Sequence, residues 1–355
     1  MKHKAIYHLL VATSALMALV ETSVAQTIYI PEGSANSVAV VDFKSKAIVK
    51  RYSDLEAVHG LAIAKEKQLL IAGSLFEIET GDALKERKPA GMSEEDHAAH
   101  HAPSATQSSD QGDGSKSLLS VVQIETGDIL RRIEVLGGVH HVAVTPDERF
   151  AVVTHPSGGG ISVVNLSSLQ LEAFIPTGSN PNYLAFGSAA DTVYVSNAGN
   201  GTISEVDLAR RIVRRNFLAG TSPEHMIADP SSGTLYAADT DAGRIIELNL
   251  KTGEALRTFD IGGEIHALAL TPDRSKLVAT VTSEDRLVSL DLLSGELSSQ
   301  SISPAPYHLT VVENTESAFV SSRAESVVWS VDMNDMKISE EIAIEGEGHQ
   351  MISLP

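Results

Sequence analysis

The sequence predicts an all-β fold, a seven-bladed β-propeller closed by pairing of its N- and C-terminal strands. Three observations carry this. Units of about 42 residues repeat along the 355-residue chain, as in "HHVAVTPDERFAVVTHPSGGGISVVNLSSLQLEAFIPTG" and "NYLAFGSAADTVYVSNAGNGTISEVDLARRIVRRNFLAG". Each unit holds four short runs of alternating apolar residues separated by turn residues, the pattern of an antiparallel meander. The first and last units are incomplete in complementary ways. A period near 40 residues with four strands per unit is the signature of propeller blades.

The elements follow in chain order. Residues 1–25 begin with Lys2 and Lys4, continue in an apolar run and end in the small residues "SVA". They are expected to be a signal peptide that directs export to the periplasm. Residues 26–355 are expected to form the propeller. "IYIPEGSANSVAVVDFKSKAIVKRYS" supplies three strands and lacks the first. The second unit starts at "HGLAIAKEKQLLIAGS", is interrupted, and resumes at "SLLSVVQIETGDILRRIEV". Five regular units follow, in which Asn165, Asp207, Asn249 and Asp291 recur 42 residues apart. The terminal "HQMISLP" is a lone first strand, expected to pair with "TIYIPEG" and complete the first blade.

Composition narrows the function. A formal charge of −19 argues against nucleic acid, which requires clustered Lys and Arg, and favours cations. No apolar run after residue 25 reaches the ~18 residues of a membrane span. With no cysteine there is no disulfide, thiolate metal site or haem attachment. A transition metal would have to be bound by imidazole, carboxylate or thioether.

The histidines are not scattered. When the units are aligned on their second strands, the residue at the start of the first, innermost strand (position zero) is His59, His140, Asn182, Glu224, His266, His308 and His349. Five of the seven are histidine and they form one arc of the ring, so several imidazoles can converge on one ion. Zinc takes four nitrogen or oxygen ligands, and copper also suits imidazole. Glu224 is a candidate fourth ligand or an acceptor that orients an imidazole. His141 and His225, directly after position zero, join or flank the site. Met92, Met226 and Met351 are the thioethers that keep copper in view, although each also suits an apolar setting. His155 fits no pattern and reads as a loop residue. Histidine as a purely structural repeat residue is the competing reading, but punctuation at this place is more usually Pro, Gly or Asn, as in "SNPNY".

The step from His59 to His140 is 81 residues, about one period too long, which places an insertion at 76–116 within the second blade. Its core, "GMSEEDHAAHHAPSATQSSDQGDGSK", reads as a flexible segment. Ser93 and Asp96 form a capping-box pattern that starts a short helix with His97 and His101 on one face. His100 and the carboxylates of Glu94, Glu95 and Asp96 lie close by. The segment is either a solvated acidic linker or a metal-transfer arm.

"VYVSNAGNGTISEVD" resembles the YVTN-type propeller repeat of exported bacterial proteins, over nearly all of residues 26–355. The leader, the histidine-bearing insertion early in the ring and the double histidine at a strand start together resemble periplasmic zinc metallochaperones of the AztD kind. That resemblance implies a metal carrier holding zinc, with copper as the alternative, and passing it to the solute-binding protein of an ABC importer. The alternatives are a metal-dependent enzyme with its site at the hub, Glu224 acting as base on metal-bound water, and a protein-interaction propeller.

Overall fold

The computed structural model describes residues 26–78 and 114–354. Residues 1–25, expected to be a signal peptide, and His97, His100, His101 and Met92 lie outside the described residues. Seven four-stranded antiparallel sheets form a ring of blades. The first blade contains β1 (Thr27–Glu32), β2 (Ser37–Asp42) and β3 (Ile48–Tyr52), and the second β4 (Val58–Ala64), β5 (Leu69–Ser74), β6 (Lys116–Gln123) and β7 (Ile129–Leu136). The third has β8 (Val142–Val144), β9 (Phe150–His155), β10 (Gly160–Asn165) and β11 (Gln170–Pro176). The fourth has β12 (Pro181–Phe186), β13 (Thr192–Asn197), β14 (Thr202–Asp207) and β15 (Ile212–Leu218). In the fifth are β16 (Pro223–Asp229), β17 (Thr234–Asp239), β18 (Arg244–Asn249) and β19 (Ala255–Asp260). The sixth holds β20 (Ile265–Leu270), β21 (Lys276–Val281), β22 (Arg286–Asp291) and β23 (Leu297–Ser301). The seventh holds β24 (Pro306–Val311), β25 (Ser317–Ser322), β26 (Val327–Asp332) and β27 (Ile338–Ala343), and β28 (Ile352–Leu354) returns to the first blade. Among the described residues no helix is long and apolar enough to cross a membrane.

The ring closes as the split unit predicts. β28 pairs with β1 through Thr27–Leu354, Ile28–Ser353 and Tyr29–Ile352. The Gln350 side chain extends this closure. Its amide accepts from Val142 N–H at 3.0 Å and donates to Val142 C=O at 2.9 Å, so it pairs with the third blade as a strand would. It reaches there over Gly60, where a Cβ would meet His140 C=O at 2.9 Å and Gln350 Oε1 at 3.1 Å. Apolar clusters fill the spaces between neighbouring blades, one combining Trp329 of the seventh with Leu287 of the sixth. The recurring Asn and Asp close the outer hairpins. Asn165 Oδ1 accepts from the N–H groups of Ser167 and Ser168 at 2.9 and 3.1 Å, and Asp291 Oδ1 from Leu293 and Ser294 at 3.1 and 2.8 Å.

Two sets of β-bulges fix the register of the hub. Near the start of the inner strand in the second, fourth, fifth, sixth and seventh blades, the register with the second strand shifts by one residue. Asn182 and Tyr183 lie between the pairs Pro181–Asn197 and Leu184–Val195, so both face Ser196. Tyr307 and His308 likewise face Ser321. The bulge turns two successive side chains toward the channel where plain alternation allows one. The second set lies between the third and fourth strands of every blade except the sixth, where β22 pairs with β23 without a shift. That blade is one residue shorter. The equivalent pairs Ile265–Val281 and Pro306–Ser322 are therefore 41 residues apart, not 42. This corrects the sequence alignment: position zero of the seventh blade is Tyr307, and His308 takes the next place, equivalent to His141 and His225.

Candidate metal centre

The hub carries two rings of residues. Position zero is His349, His59, His140, Asn182, Glu224, His266 and Tyr307. The next place holds Gln350, Gly60, His141, Tyr183, His225, Ala267 and His308. All seven histidines in these rings are at most 5% exposed. A repeated hydroxyl holds the second ring in place. Thr154 Oγ1 accepts from His141 N–H at 3.0 Å and donates to Asn182 C=O at 2.8 Å, linking the third blade to the fourth. Ser196 does the same between Tyr183 N–H (2.9 Å) and Glu224 C=O (2.5 Å), and Thr280 between Ala267 N–H (2.9 Å) and Tyr307 C=O (2.6 Å). Ser321 Oγ accepts from His308 N–H at 3.1 Å. Each hydroxyl lies 13 residues after the residue whose N–H it holds, a periodic signal present in the sequence that places His308 in the second ring.

Five histidines converge into two overlapping groups of three. In each, one nitrogen per residue lies within 4.8 Å of the others: His141, His308 and His349 in one, His59, His140 and His349 in the other. The first has the better geometry for one ion. His141 Nδ1–H donates to Asn182 C=O at 2.8 Å, which leaves the Nε2 lone pair to point into the hub. That Nε2 lies 3.2 Å from His308 Nε2. Two ligands of a tetrahedral ion at about 2.05 Å are about 3.3 Å apart. Without an ion, the fixed tautomer of His141 makes His308 Nε2–H the donor of this contact. The ring planes of His141 and His308 cross at 50°, His141 and His349 at 37°, and His308 and His349 at 59°, so their in-plane lone pairs can meet. In the second group, His59 and His349 stack at 3.4 Å with only 20° between planes. Lone pairs in near-parallel planes do not converge on one ion.

The other expected residues sit differently. His266 stacks on Tyr307 at 3.7 Å and meets His308 edge-on at 4.9 Å, outside both groups. His225 stacks on Tyr183 at 3.7 Å, and its Nδ1 accepts from Leu268 N–H at 3.3 Å, so the ring hydrogen sits on Nε2. Glu224, also outside both groups, lines a cleft of about 550 Å³ with Asp241, Glu264 and Arg323. Met226 and Met351 pack in apolar clusters. His155 is a buried residue ending β9 and not a loop residue. Its Nδ1 faces the Gly137 and Gly138 carbonyls at 3.2 and 3.3 Å, and its Nε2 lies 2.8 Å from Ser162 Oγ. The sequence pattern singled out neither Tyr183 nor Tyr307, because aromatic residues at a strand start read equally well as core.

Burial sets the charge state. It pushes His225 down to about 3 and His155 to about 4. It holds His349 well below the ordinary imidazole range, with the nearby His308, His59, His141 and His140 adding to the effect. Neutral imidazole is the form that binds metal.

The insertion is described only at its ends. Ile78 and Lys116 exchange backbone hydrogen bonds at 2.7 and 3.0 Å. The Glu77 carboxylate accepts from Gly138 N–H at 2.7 Å and Ser115 Oγ–H at 2.8 Å. The segment leaves between β5 and β6, on the face where the inner strands begin, and its base is tied two residues before His140.

No family model and no curated protein matches the sequence. Several solved structures share the fold. A putative 6-phosphogluconolactonase from Bacteroides uniformis is 13% identical with a TM-score of 0.71, covering 93% of this chain and 99% of that one. One from Bacteroides fragilis is 12% identical at 0.70, covering 94% and 99%. Kuenenia stuttgartiensis hydrazine synthase is 13% identical at 0.68, covering 87% and 93%. At these identities the likeness concerns the fold alone.

Proposed function

We propose that this protein is an exported metal-binding carrier that holds one divalent ion, zinc first and copper second, at its hub. The observation that carries the reading is the convergence of His141, His308 and His349, whose nitrogens lie within 4.8 Å of one another. Three imidazoles with a fourth position for water or another ligand form a familiar zinc donor set. They come from the third blade, the seventh blade and the segment before β28, so ring closure pre-organises the site.

On this reading residues 1–25 direct the chain to the periplasm, and the ion passes to a transport partner, the solute-binding protein of an ABC importer. The insertion, with His97, His100 and His101, acts as the transfer arm, a role that fits its departure on the face where the hub opens. The kinship with AztD-like metallochaperones and the YVTN-type repeat belongs to the same proposal. Metal analysis of the protein purified from its native compartment, followed by zinc and copper titration of the metal-free chain, tests it. One tightly bound equivalent supports the carrier, and no tight binding of either ion removes it.

A further inference from the structure

We propose that the hub offers one ion two positions, an inner one at His141, His308 and His349 and an outer one at His59, His140 and His349, with His349 as the ligand common to both. This deepens the carrier reading and rests on it. Both groups are present and share that residue. Their depths differ by construction. His59, His140 and His349 all stand at position zero, next to the loops of the hub mouth, whereas His141 and His308 stand one residue further along their strands.

Ring orientation makes the two positions exclusive. As placed, His349 crosses the planes of His141 and His308 at 37° and 59°, which serves the inner position. It stacks on His59 at 3.4 Å and 20°, which does not serve the outer one. His349 must turn before it can share an ion with His59 and His140, and on turning it leaves the inner geometry. Its place in the chain permits this. His141 and His308 are pinned by backbone bonds to Thr154 and Ser321. His349 lies between β27 and β28, outside any strand, flanked by Gly348. The ion keeps its bond to His349 throughout, exchanging two bonds to His141 and His308 for two to His59 and His140. All partners are imidazoles, so the ion exchanges like ligands without passing through a bare-ion state.

The test is stopped-flow loading and release of cobalt(II), whose visible spectrum reports coordination, with full-length protein and the His59→Gln/His140→Gln double variant. The variant is expected to load and release cobalt at least tenfold more slowly than the wild-type protein. Wild-type rates in the variant would overturn the proposal, as would two cobalt ions bound together by the wild-type protein. Wild-type protein that binds no cobalt would instead remove the carrier reading itself. Should the double variant fold poorly, the wild-type record decides. An early cobalt spectrum replaced by a later one is expected, and a single spectrum throughout would contradict two positions.

Discussion

His141 Nε2 and His308 Nε2 lie 3.2 Å apart although 167 residues separate them. The contact spans the hub from the third blade to the seventh, and both backbones are held by hydroxyls, Thr154 for one and Ser321 for the other. Two imidazoles brought together in a buried hub form a weak hydrogen bond alone and a strong pair of ligands around an ion.

The first prediction separates His308 from His266, which the sequence treats as equals. His308→Gln is expected to weaken zinc binding at least about 100-fold, as loss of a direct ligand exceeds the 10–100-fold typical of outer partners. His266→Gln is expected to cost less than about tenfold. Calorimetric titration of both variants checks this, and equal losses would return His266 to the ligand set.

The hydroxyls give a second contrast. Ser321→Ala removes the acceptor of His308 N–H and is expected to weaken zinc binding about tenfold, while costing about 1 kcal/mol of stability. Ser196→Ala removes the equivalent bond beside Tyr183 and Glu224, with a similar stability cost and less than twofold change in affinity. Parallel titration and urea unfolding distinguish support of the site from support of the fold.

Acid is expected to destabilise the metal-free protein. His225 and His155 are held at about 3 and about 4 in the fold, below the value near 6.5 of the unfolded chain. Between those limits the unfolded state binds more protons, so stability falls as pH drops below about 6.5 and levels off near the folded values. Each group contributes a slope of about 1.4 kcal/mol per pH unit in that window. Urea midpoints at pH 7.5 and 5.0 measure it. A midpoint that does not fall would mean these rings are not buried neutral.

Closure depends on Gln350 as well as on β28. Gln350→Ala leaves Val142 N–H and C=O without their side-chain partners and is expected to cost about 1–3 kcal/mol. Deleting 349–355 exposes the edge of β1 and is expected to promote aggregation. Chemical denaturation and light scattering read the two outcomes.

The carrier reading makes a prediction for the insertion. Deleting residues 90–105 is expected to leave zinc affinity nearly unchanged while slowing handover to a solute-binding protein, compared with passive release to a chelator. Handover at the full-length rate would make the segment a linker.

Much of the fold was legible because a propeller repeats its solution. The alternating runs, the Asn165-type turns and the half-blades at the two ends each state the same period. The site was legible as a concentration of histidine at one register, but not in its details. His308 was misplaced by one residue because the outer bulge missing from the sixth blade leaves no mark in the apolar pattern. The hydroxyls of Thr154, Ser196, Thr280 and Ser321, at a constant offset, carried the correct register. Which imidazoles share an ion depends on ring angles, such as the 20° stack of His59 on His349, and periodicity does not encode those.

The central claim is that His141, His308 and His349 hold one ion. Anomalous diffraction at the zinc edge, from crystals of the zinc-loaded full chain, tests it most directly. A single hub peak about 2.0–2.1 Å from a nitrogen of each of the three histidines is the predicted result. A loaded protein whose zinc lies elsewhere, with no peak at the hub, would contradict it.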